Sequence, residues 1–508
     1  MNIKSKLFSQ IVFFILFVFL ILPLWLNKKF GLIYYEQFIF NVKLVYFGFL
    51  DGDSNIVKSA IKWLIIVPII LSLTLFYTRN IIIFFKNKKD KSVDIIIEKL
   101  RKVKNNYYKF KINFFFQIGF YIFVRFFYIF IILIIIILYS KYTNFFHKPG
   151  EVSNLDFLDK NYEYPNVSSN QDTFNLVVIY AESFENTMSD KKVFDENLII
   201  DLLKFKEAKS IKFFYQVPST GYTLSSLVST QCGIPLLKIK NSFFDVINLK
   251  GINTFLPKLT CLTDILHENN YYNYFISSDD LENSLTNKFL ETHNYTNYYG
   301  LKELTDLGYE TSKQAYHNKK KWDGGIHDNI LLQASLDVLK NLKKENKKFF
   351  MTIMTLDSHA PDGYPNRECL KERLDLINVN NYTIKDTVKC SSIYLSSFIE
   401  DFKKLNLKNT KLIVLGDHLL MKNLKKKDRY IFNQFYIDDN LQFERDYMNF
   451  YDLFPTFLEV INFKINNDFG KVGLGYSIFK NNPNYEIIDF TMNGSSAIYD
   501  SFWGLSDL

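Results

Sequence analysis

Two kinds of apolar segment divide the chain near residue 145. Before that point, three long apolar stretches have the length of membrane-spanning helices: 9–26, 61–77 and 119–139. After residue 174 the apolar runs are of strand length and alternate with stretches of helical period. The predicted strands are 174–181, 271–276, 349–355 and 411–415. The predicted helices are 224–230, 260–268, 329–342, 387–402 and 452–461. This alternation predicts an α/β domain with a mainly parallel sheet covered on both faces.

The charge pattern orients the predicted membrane domain, residues 1–145. The segment 79–112 is dense in Lys and Arg and poor in acids, so the positive-inside rule predicts a cytoplasmic loop. Residues 31–55 mix aromatic, apolar and charged side chains, which favours an amphipathic helix on the outer membrane surface. With three spans, the linker 146–173 and the domain 174–508 then face the periplasm or the cell exterior. We therefore expect a multi-pass protein of the cytoplasmic (inner) membrane.

Overall charge and cysteine content say little about the function of the chain. The net charge of +8 is modest for 508 residues and is concentrated in one loop, so we expect no nucleic-acid partner. The four cysteines form no CxxC or zinc-knuckle spacing, and all follow residue 174. Outside the cytoplasm, the disulfides Cys232–Cys261 and Cys369–Cys390 are one possibility. Four buried free thiols are the alternative.

Polar groups suited to metal or phosphate chemistry follow the predicted strands. Glu182, His359 and the pair Asp417-His418 each come directly after an apolar run, and ligands collect at the carboxyl ends of parallel strands. Thr223 follows a glycine turn at the start of a predicted helix, where unpaired backbone N–H groups favour a phosphoryl group. Two carboxylates, an imidazole and a hydroxyl suit Mn²⁺ or Zn²⁺. Such an ion would favour the alkoxide form of Thr223. Taken singly, each of these residues has a structural explanation, such as a helix cap or a hydrogen-bonded loop residue.

Four motifs together resemble the membrane-anchored transferases of the sulfatase superfamily. They are VVIYAES at 177–183, TGYT at 220–223 with STQCGIPL at 229–236, DSH at 357–359 and GDHLLMKN at 416–423. This superfamily group includes lipoteichoic acid synthases, phosphoethanolamine transferases and the phosphoglycerol transferases of periplasmic glucans. The residues of the second and fourth motifs are most similar to those of the phosphoglycerol transferases.

The resemblance implies an alkaline-phosphatase-like or sulfatase-like α/β sandwich and a covalent phospho-threonine intermediate. The implied catalytic nucleophile is Thr223. The implied ligands of one divalent metal ion are Glu182, Thr223, Asp417 and His418. The implied substrate contacts are His359 and Trp322, the latter in WDGGIHD at 322–328. The nucleophile segment lacks the Cys or Ser followed by x-Pro-x-Arg that sulfatases mature to formylglycine, which disfavours sulfate ester hydrolysis by that route.

The predicted reaction is transfer of a phosphoglycerol head group from a membrane phospholipid, phosphatidylglycerol, to an acceptor hydroxyl on a glycan or similar envelope molecule. The lipid bilayer is therefore an expected partner. One alternative is a phosphoethanolamine transferase acting on lipid A or a surface glycan. Another is a catalytically silent, membrane-tethered binding protein, although all four implied ligand positions are filled.

Overall fold

The fold is described from a computed structural model of the 508-residue chain. It describes residues 3–30, 59–74, 77, 133–138, 156–217, 220–236, 253–282, 285–311, 325–360, 362–374, 382–422, 424, 426, 428–481 and 501–503. The chain divides into two compact units. One comprises residues 1–33 and 52–147, and the other comprises residues 34–51 and 148–508.

The first unit is helical wherever it is described. Helix α1 covers Ile3–Phe30, and residues 59–74 form a second helical segment with a π-helical turn at Ile61–Ile66. Trp25 Nε1 donates a hydrogen bond to Ser59 Oγ at 2.9 Å, which ties these segments together. Among the residues described, no helix is both long enough and apolar enough to cross a membrane. The predicted spans therefore stay predictions, and the predicted loop 79–112 and amphipathic segment 31–55 lie outside the described residues.

In its described residues, the second unit contains a six-stranded sheet and three small two-stranded sheets. Its strands are β1 (Val167–Ser169), β2 (Asn175–Ala181), β3 (Phe213–Tyr215), β4 (Tyr272–Ser277), β5 (Asn297–Tyr299), β6 (Phe349–Met354), β7 (Thr410–Gly416), β8 (Asn433–Tyr436), β9 (Tyr447–Asn449), β10 (Phe463–Ile465), β11 (Lys471–Val472) and β12 (Gly475–Tyr476). The large sheet has the order β5-β4-β6-β2-β7-β8. All its pairings are parallel except β7 with β8, so the predicted mainly parallel sheet is confirmed.

Helices occupy the connections between the strands. They are α2 (Asp156–Asn161), α3 (Lys191–Phe194), α4 (Thr223–Cys232), α5 (Leu262–Glu268), α6 (Thr286–Thr292), α7 (Leu301–Asp306), α8 (Asp328–Glu345), α9 (Ile384–Leu405) and α10 (Leu453–Val460). Short 3₁₀ turns cover Asn186–Ser189 and Phe450–Asp452, and a π-helical turn covers Cys369–Arg373. The five helices predicted from hydrophobic period correspond to α4, α5, α8, α9 and α10.

The central strand β2 is buried on both faces. Val178 and Tyr180 contribute to one hydrophobic core, whereas Val177 and Ile179 contribute to the core on the opposite face. This follows from the alternation of side chains along a strand, and it explains why the strand reads as an uninterrupted apolar run. The sheet therefore has a covered layer on each side, as the sequence predicts.

Both disulfides considered from the sequence are present. Cys232 at the end of α4 is bonded to Cys261, and Cys369 is bonded to Cys390 within α9. Helix α4 stops at Gly233, which has φ +68° and lies against the backbone of Gly473. A side chain at Gly233 would meet that backbone as well as adopt an unfavourable φ. The C-terminal end of α4 is therefore fixed by both a disulfide and a glycine cap.

Candidate active site

Two neighbouring strands bring the predicted acidic and imidazole groups together. Ala181 at the end of β2 pairs with Gly416 at the end of β7, so the residues that follow each strand emerge side by side. Glu182, Asp417 and His418 each offer a ligand atom, and these three atoms all lie within 4.8 Å of one another. Each of the three side chains is about 1% exposed.

Backbone geometry after β2 orients the two carboxylates. Ser183 has φ +59°, and its side-chain Oγ donates to Glu182 Oε1 at 2.6 Å. Asp417 Oδ1 accepts from the backbone N–H groups of Ser183 and His418, both at 2.8 Å. These contacts use one oxygen of each carboxylate and leave the other oxygen of Asp417 directed to the cluster.

The imidazole of His418 is held in an orientation suited to a metal ligand. Its Nδ1 lies 3.1 Å from the Leu419 carbonyl, to which it donates a hydrogen bond. The other ring nitrogen, Nε2, lies 3.5 Å from Glu182 Oε1 and 3.4 Å from Asp417 Oδ2. A ligating histidine commonly donates from its remote nitrogen to a carbonyl or carboxylate in this way.

The electrostatics of the cluster favour a bound cation. Burial, followed by the neighbouring Glu182 carboxylate, raises the pKa of Asp417 to about 7. Burial lowers the pKa of His418, but the charges of Asp417 and Glu182 outweigh it and raise that pKa. A buried carboxylate beside a second carboxylate is unfavourable as an anion unless positive charge is supplied. The donor set and its need for positive charge therefore fit a divalent ion of Mn²⁺ or Zn²⁺ type.

Thr223 is the first residue of α4, and its hydroxyl reaches the same cluster. Its Oγ1 donates to Asp417 Oδ2 at 3.2 Å. The side chain is half-buried, whereas the next nine residues of the helix are buried. Ser225 fixes the start of the helix, because its hydroxyl accepts from the backbone N–H of Tyr222 and donates to the Tyr222 carbonyl. The structure thus brings the four implied ligand residues together, with the Thr223 hydroxyl the most accessible of them.

Of the two implied substrate contacts, the structure describes only His359. His359 follows β6 on the segment next to Glu182, where Ser358 Oγ donates to the Glu182 carbonyl at 2.6 Å. The His359 Nδ1 donates to the Ala360 carbonyl at 2.9 Å, and its side chain is half-buried. Trp322 lies outside the described residues.

Comparison with protein families identifies the domain that carries this geometry. The family model named Sulfatase matches residues 174–461, which is more than half of the chain. The chain belongs to the sulfatase family. The match begins at the first strand of the large sheet and ends after α10, so it includes every described residue of the candidate site.

Curated relatives of this sulfatase-family chain include phosphoglycerol transferase I from Escherichia fergusonii, 32% identical over 262 residues. The same enzyme from Salmonella choleraesuis is 33% identical over 262 residues. Each alignment covers 50% of this chain and 33% of the relative, so the match spans about a third of the relatives' length. Among solved structures, the lipoteichoic acid synthase LtaP from Listeria monocytogenes is 17% identical, with a TM-score of 0.48 over 65% of this chain and 81% of that chain.

A buried ion pair that the sequence did not reveal supports the Asp417-His418 turn of the sulfatase-family domain. Glu185 is fully buried, and both of its carboxylate oxygens lie 3.0 Å from Arg429 Nε. Arg429 Nη2 also donates to Glu185 and to the Leu420 carbonyl, while the Leu420 N–H donates to Glu185 Oε2 at 3.2 Å. Glu185 lies only three residues after Glu182, which is the one signal in the sequence that could have drawn attention to it.

A second group of ligand-like side chains lies next to the Cys232–Cys261 disulfide. His293 Nδ1 bonds Asp264 Oδ2 at 2.9 Å, and ligand atoms of Cys261, Asp264 and His293 approach within 4.8 Å of one another. Because Cys261 is disulfide-bonded, it has no thiolate to offer a metal. Asp264 also accepts from the backbone N–H of Cys261, so the group serves to fix the start of α5.

Proposed function

We propose that this protein transfers a phosphoglycerol head group from a membrane phospholipid, phosphatidylglycerol, to an acceptor hydroxyl on a glycan or similar envelope molecule. The transfer proceeds through a covalent intermediate on Thr223. The observation that carries the proposal is the convergence of the Thr223 hydroxyl on the buried carboxylate–imidazole cluster, 3.2 Å from Asp417. The naming of the curated relatives as phosphoglycerol transferases supports the choice of cargo.

In the first half-reaction, Thr223 Oγ1 attacks the phosphorus of the lipid, and the bond from phosphorus to the diacylglycerol oxygen breaks. The Thr223 proton has an acceptor at hand in Asp417 Oδ2. His359 protonates the departing diacylglycerol oxygen. In the second half-reaction His359 takes the proton of the acceptor hydroxyl as its oxygen attacks the phosphorus. The bond from phosphorus to Thr223 Oγ1 breaks, and Asp417 returns the proton to Thr223 Oγ1, so both residues and the threonine are restored.

One divalent metal ion is part of the proposal. Its ligands would be Glu182, Thr223, Asp417 and His418. When bound, it neutralises charge on the phosphoryl oxygens and stabilises the alkoxide form of the nucleophile. His359 and Trp322 bind the substrate, His359 through a phosphate oxygen. The three predicted spans and the amphipathic segment keep the domain next to its lipid donor, on the periplasmic or exterior side of the cytoplasmic membrane.

Diacylglycerol release tests the proposal directly. The full chain in detergent micelles is incubated with labelled phosphatidylglycerol and, separately, labelled phosphatidylethanolamine. We expect release from phosphatidylglycerol that stops with a chelator and returns with Mn²⁺ or Zn²⁺. Without acceptor, a peptide containing Thr223 should carry the mass of phosphoglycerol. Release from phosphatidylethanolamine alone would identify the alternative transferase.

A matched pair of variants separates the nucleophile from its helix. Thr223→Ala should abolish both diacylglycerol release and the peptide adduct. Ser229→Ala removes a buried hydroxyl of the same helix that has no hydrogen-bond partner among the described residues, and this variant should keep both. Release that survives in Thr223→Ala would refute the covalent mechanism.

A further inference from the structure

Two buried carboxylates form hydrogen bonds in and around the segment that carries His359. Asp328 is the first residue of α8, and Asp357 lies two residues before His359. Both carboxylate side chains are fully buried, and His327 beside them is 2% exposed. Neither aspartate belongs to the proposed metal cluster. Carboxylates are rarely buried to this extent without a specific task, because desolvation is costly.

Asp328 binds the backbone of the His359 segment. Its Oδ1 accepts from the N–H groups of Leu356 at 2.9 Å and of Asp357 at 3.1 Å. Its Oδ2 accepts from Ser391 Oγ on α9 at 2.7 Å. One side chain thus joins α8, α9 and the segment that follows β6.

Asp357 in turn binds the backbone of Asp328. Its Oδ2 accepts from the backbone N–H of Asp328 at 3.1 Å, and its Oδ1 lies 2.9 Å from His327 Nδ1, which donates to it. The Asp357 carbonyl accepts from the backbone N–H of Tyr364. The two aspartates therefore clamp each other's backbone, and the turn between β6 and His359 has little freedom to shift.

Two short paths lead from this clamp to the proposed site. The N–H of Leu356 is held by Asp328, and the carbonyl of Leu356 accepts from the His359 N–H at 3.0 Å. The neighbouring Ser358 hydroxyl donates to the Glu182 carbonyl at 2.6 Å. Asp328 is therefore two hydrogen bonds from His359, and the same segment is anchored to the strand end that carries Glu182.

We propose that Asp328 is a positioning residue for His359, which it fixes by binding the backbone of the preceding turn. This inference rests on the proposed function, in which His359 contacts the transferred phosphate and protonates the leaving oxygen. A hydrogen-bond acceptor is what the two backbone N–H groups require, and an amide oxygen would also satisfy them. Burial and the charge of Asp357 raise the pKa of Asp328 to about 7, so an uncharged amide side chain at this position is compatible with the fold.

Three variants of the full chain test the role in catalysis. Asp328→Ala removes the acceptor and should lower kcat for diacylglycerol release about 100-fold, with KM changed less than about threefold. Asp328→Asn keeps an acceptor for both N–H groups and should remain within about fivefold of the wild type. Asp337→Ala, which removes a half-exposed carboxylate from the same helix, should behave as the wild type. An Asp328→Ala protein that folds and keeps its kcat would overturn the inference.

A double variant shows whether the effect passes through His359. If Asp328 acts by placing His359, then Asp328→Ala should cause little further loss in a His359→Ala background, because residues that act as a unit are not additive. A general weakening of the domain would instead lower the residual rate by the same factor in both backgrounds. That additive result would contradict a positioning role.

A measurement independent of activity keeps the inference separate from the proposed function. Carbethoxylation of individual histidines by diethyl pyrocarbonate is followed by mass spectrometry. His359 should react severalfold faster in Asp328→Ala than in the wild type or Asp328→Asn, whereas exposed His267 should react equally in all three. Unchanged His359 reactivity would refute the positioning role. Absent lipid cleavage by the wild type, with altered His359 reactivity in Asp328→Ala, would instead refute only the proposed function.

Discussion

The ion pair between Glu185 and Arg429 offers a direct test of what holds the Asp417-His418 turn. Arg429→Met keeps most of the aliphatic stem but removes the guanidinium, which donates to the Glu185 carboxylate and to the Leu420 carbonyl. Glu185 is fully buried, so the variant leaves a buried carboxylate without its cation, which keeps the hydrogen bond from the Leu420 N–H. The perturbation lies two residues from His418, at Leu420.

The magnitude follows from the burial of the pair. Removing one partner of a buried ion pair costs about 3–5 kcal/mol, because the remaining charge keeps its desolvation penalty without its Coulombic gain. In a domain of this size that loss corresponds to a melting temperature lower by roughly 4–7 °C. Glu185→Gln combined with Arg429→Met removes the buried charge and keeps an acceptor for the Leu420 N–H. We expect this double variant to regain about 2 kcal/mol relative to Arg429→Met.

Thermal unfolding of the disulfide-intact full chain, followed by circular dichroism, measures these differences. Lys426→Met is the matched control, since it breaks an ion pair with Asp190 in which both side chains are about one-third exposed. Such surface pairs contribute at most about 1 kcal/mol. A loss in Arg429→Met no larger than that in Lys426→Met, or a double variant less stable than Arg429→Met alone, would refute a buried-charge penalty at Glu185.

Two further predictions concern the same domain. In Gly416→Ala the new methyl carbon would lie 1.9 Å from the Phe184 carbonyl oxygen, so we expect a loss of about 1–3 kcal/mol in thermal unfolding and weaker Mn²⁺ or Zn²⁺ binding by calorimetry; wild-type metal affinity would contradict this. The pKa of Asp328, about 7 in the fold against 3.8 ordinarily, means that the unfolded chain loses this proton first as pH rises. The stability that Asp328 contributes is therefore complete below about pH 4 and is lost by about pH 7, by up to about 4 kcal/mol. Melting curves of Asp328→Asn should lack this loss, and parallel pH dependences of the two proteins would refute it.

The sequence predicts the frame of the α/β domain well, because its central strands are buried on both faces. Such strands appear as continuous apolar runs, and the chemistry follows directly where a run ends, as at Glu182 and Asp417. Thr223 was recognisable because a glycine turn and an apolar helical period surround it. The mutual approach of Glu182 and Asp417 depends only on adjacent strand ends, which a parallel sheet supplies.

The remaining features depend on strand order and on pairs distant in the chain. Arg429 follows a lysine-rich stretch, and nothing local distinguishes it from a solvated cation until β2 and β7 are placed side by side. Asp328 looks like an ordinary acidic residue in the first turn of a helix. Its partners, the N–H groups of Leu356 and Asp357, become visible only when α8 is packed beside the end of β6.

The order of strands in the sheet also sets when the site comes into being during chain synthesis. The central strand β2 is made early, but it pairs with β6 and β7, and the Ser183 N–H meets Asp417 across 234 residues of sequence. Helix α4, with Thr223, is therefore complete long before its carboxylate partner from β7 has been translated. A nascent or truncated chain that stops before residue 417 would carry Thr223, the proposed nucleophile, and Glu182, but not Asp417 and His418. The complete cluster would thus form late in synthesis, when β7 becomes available to pair with β2.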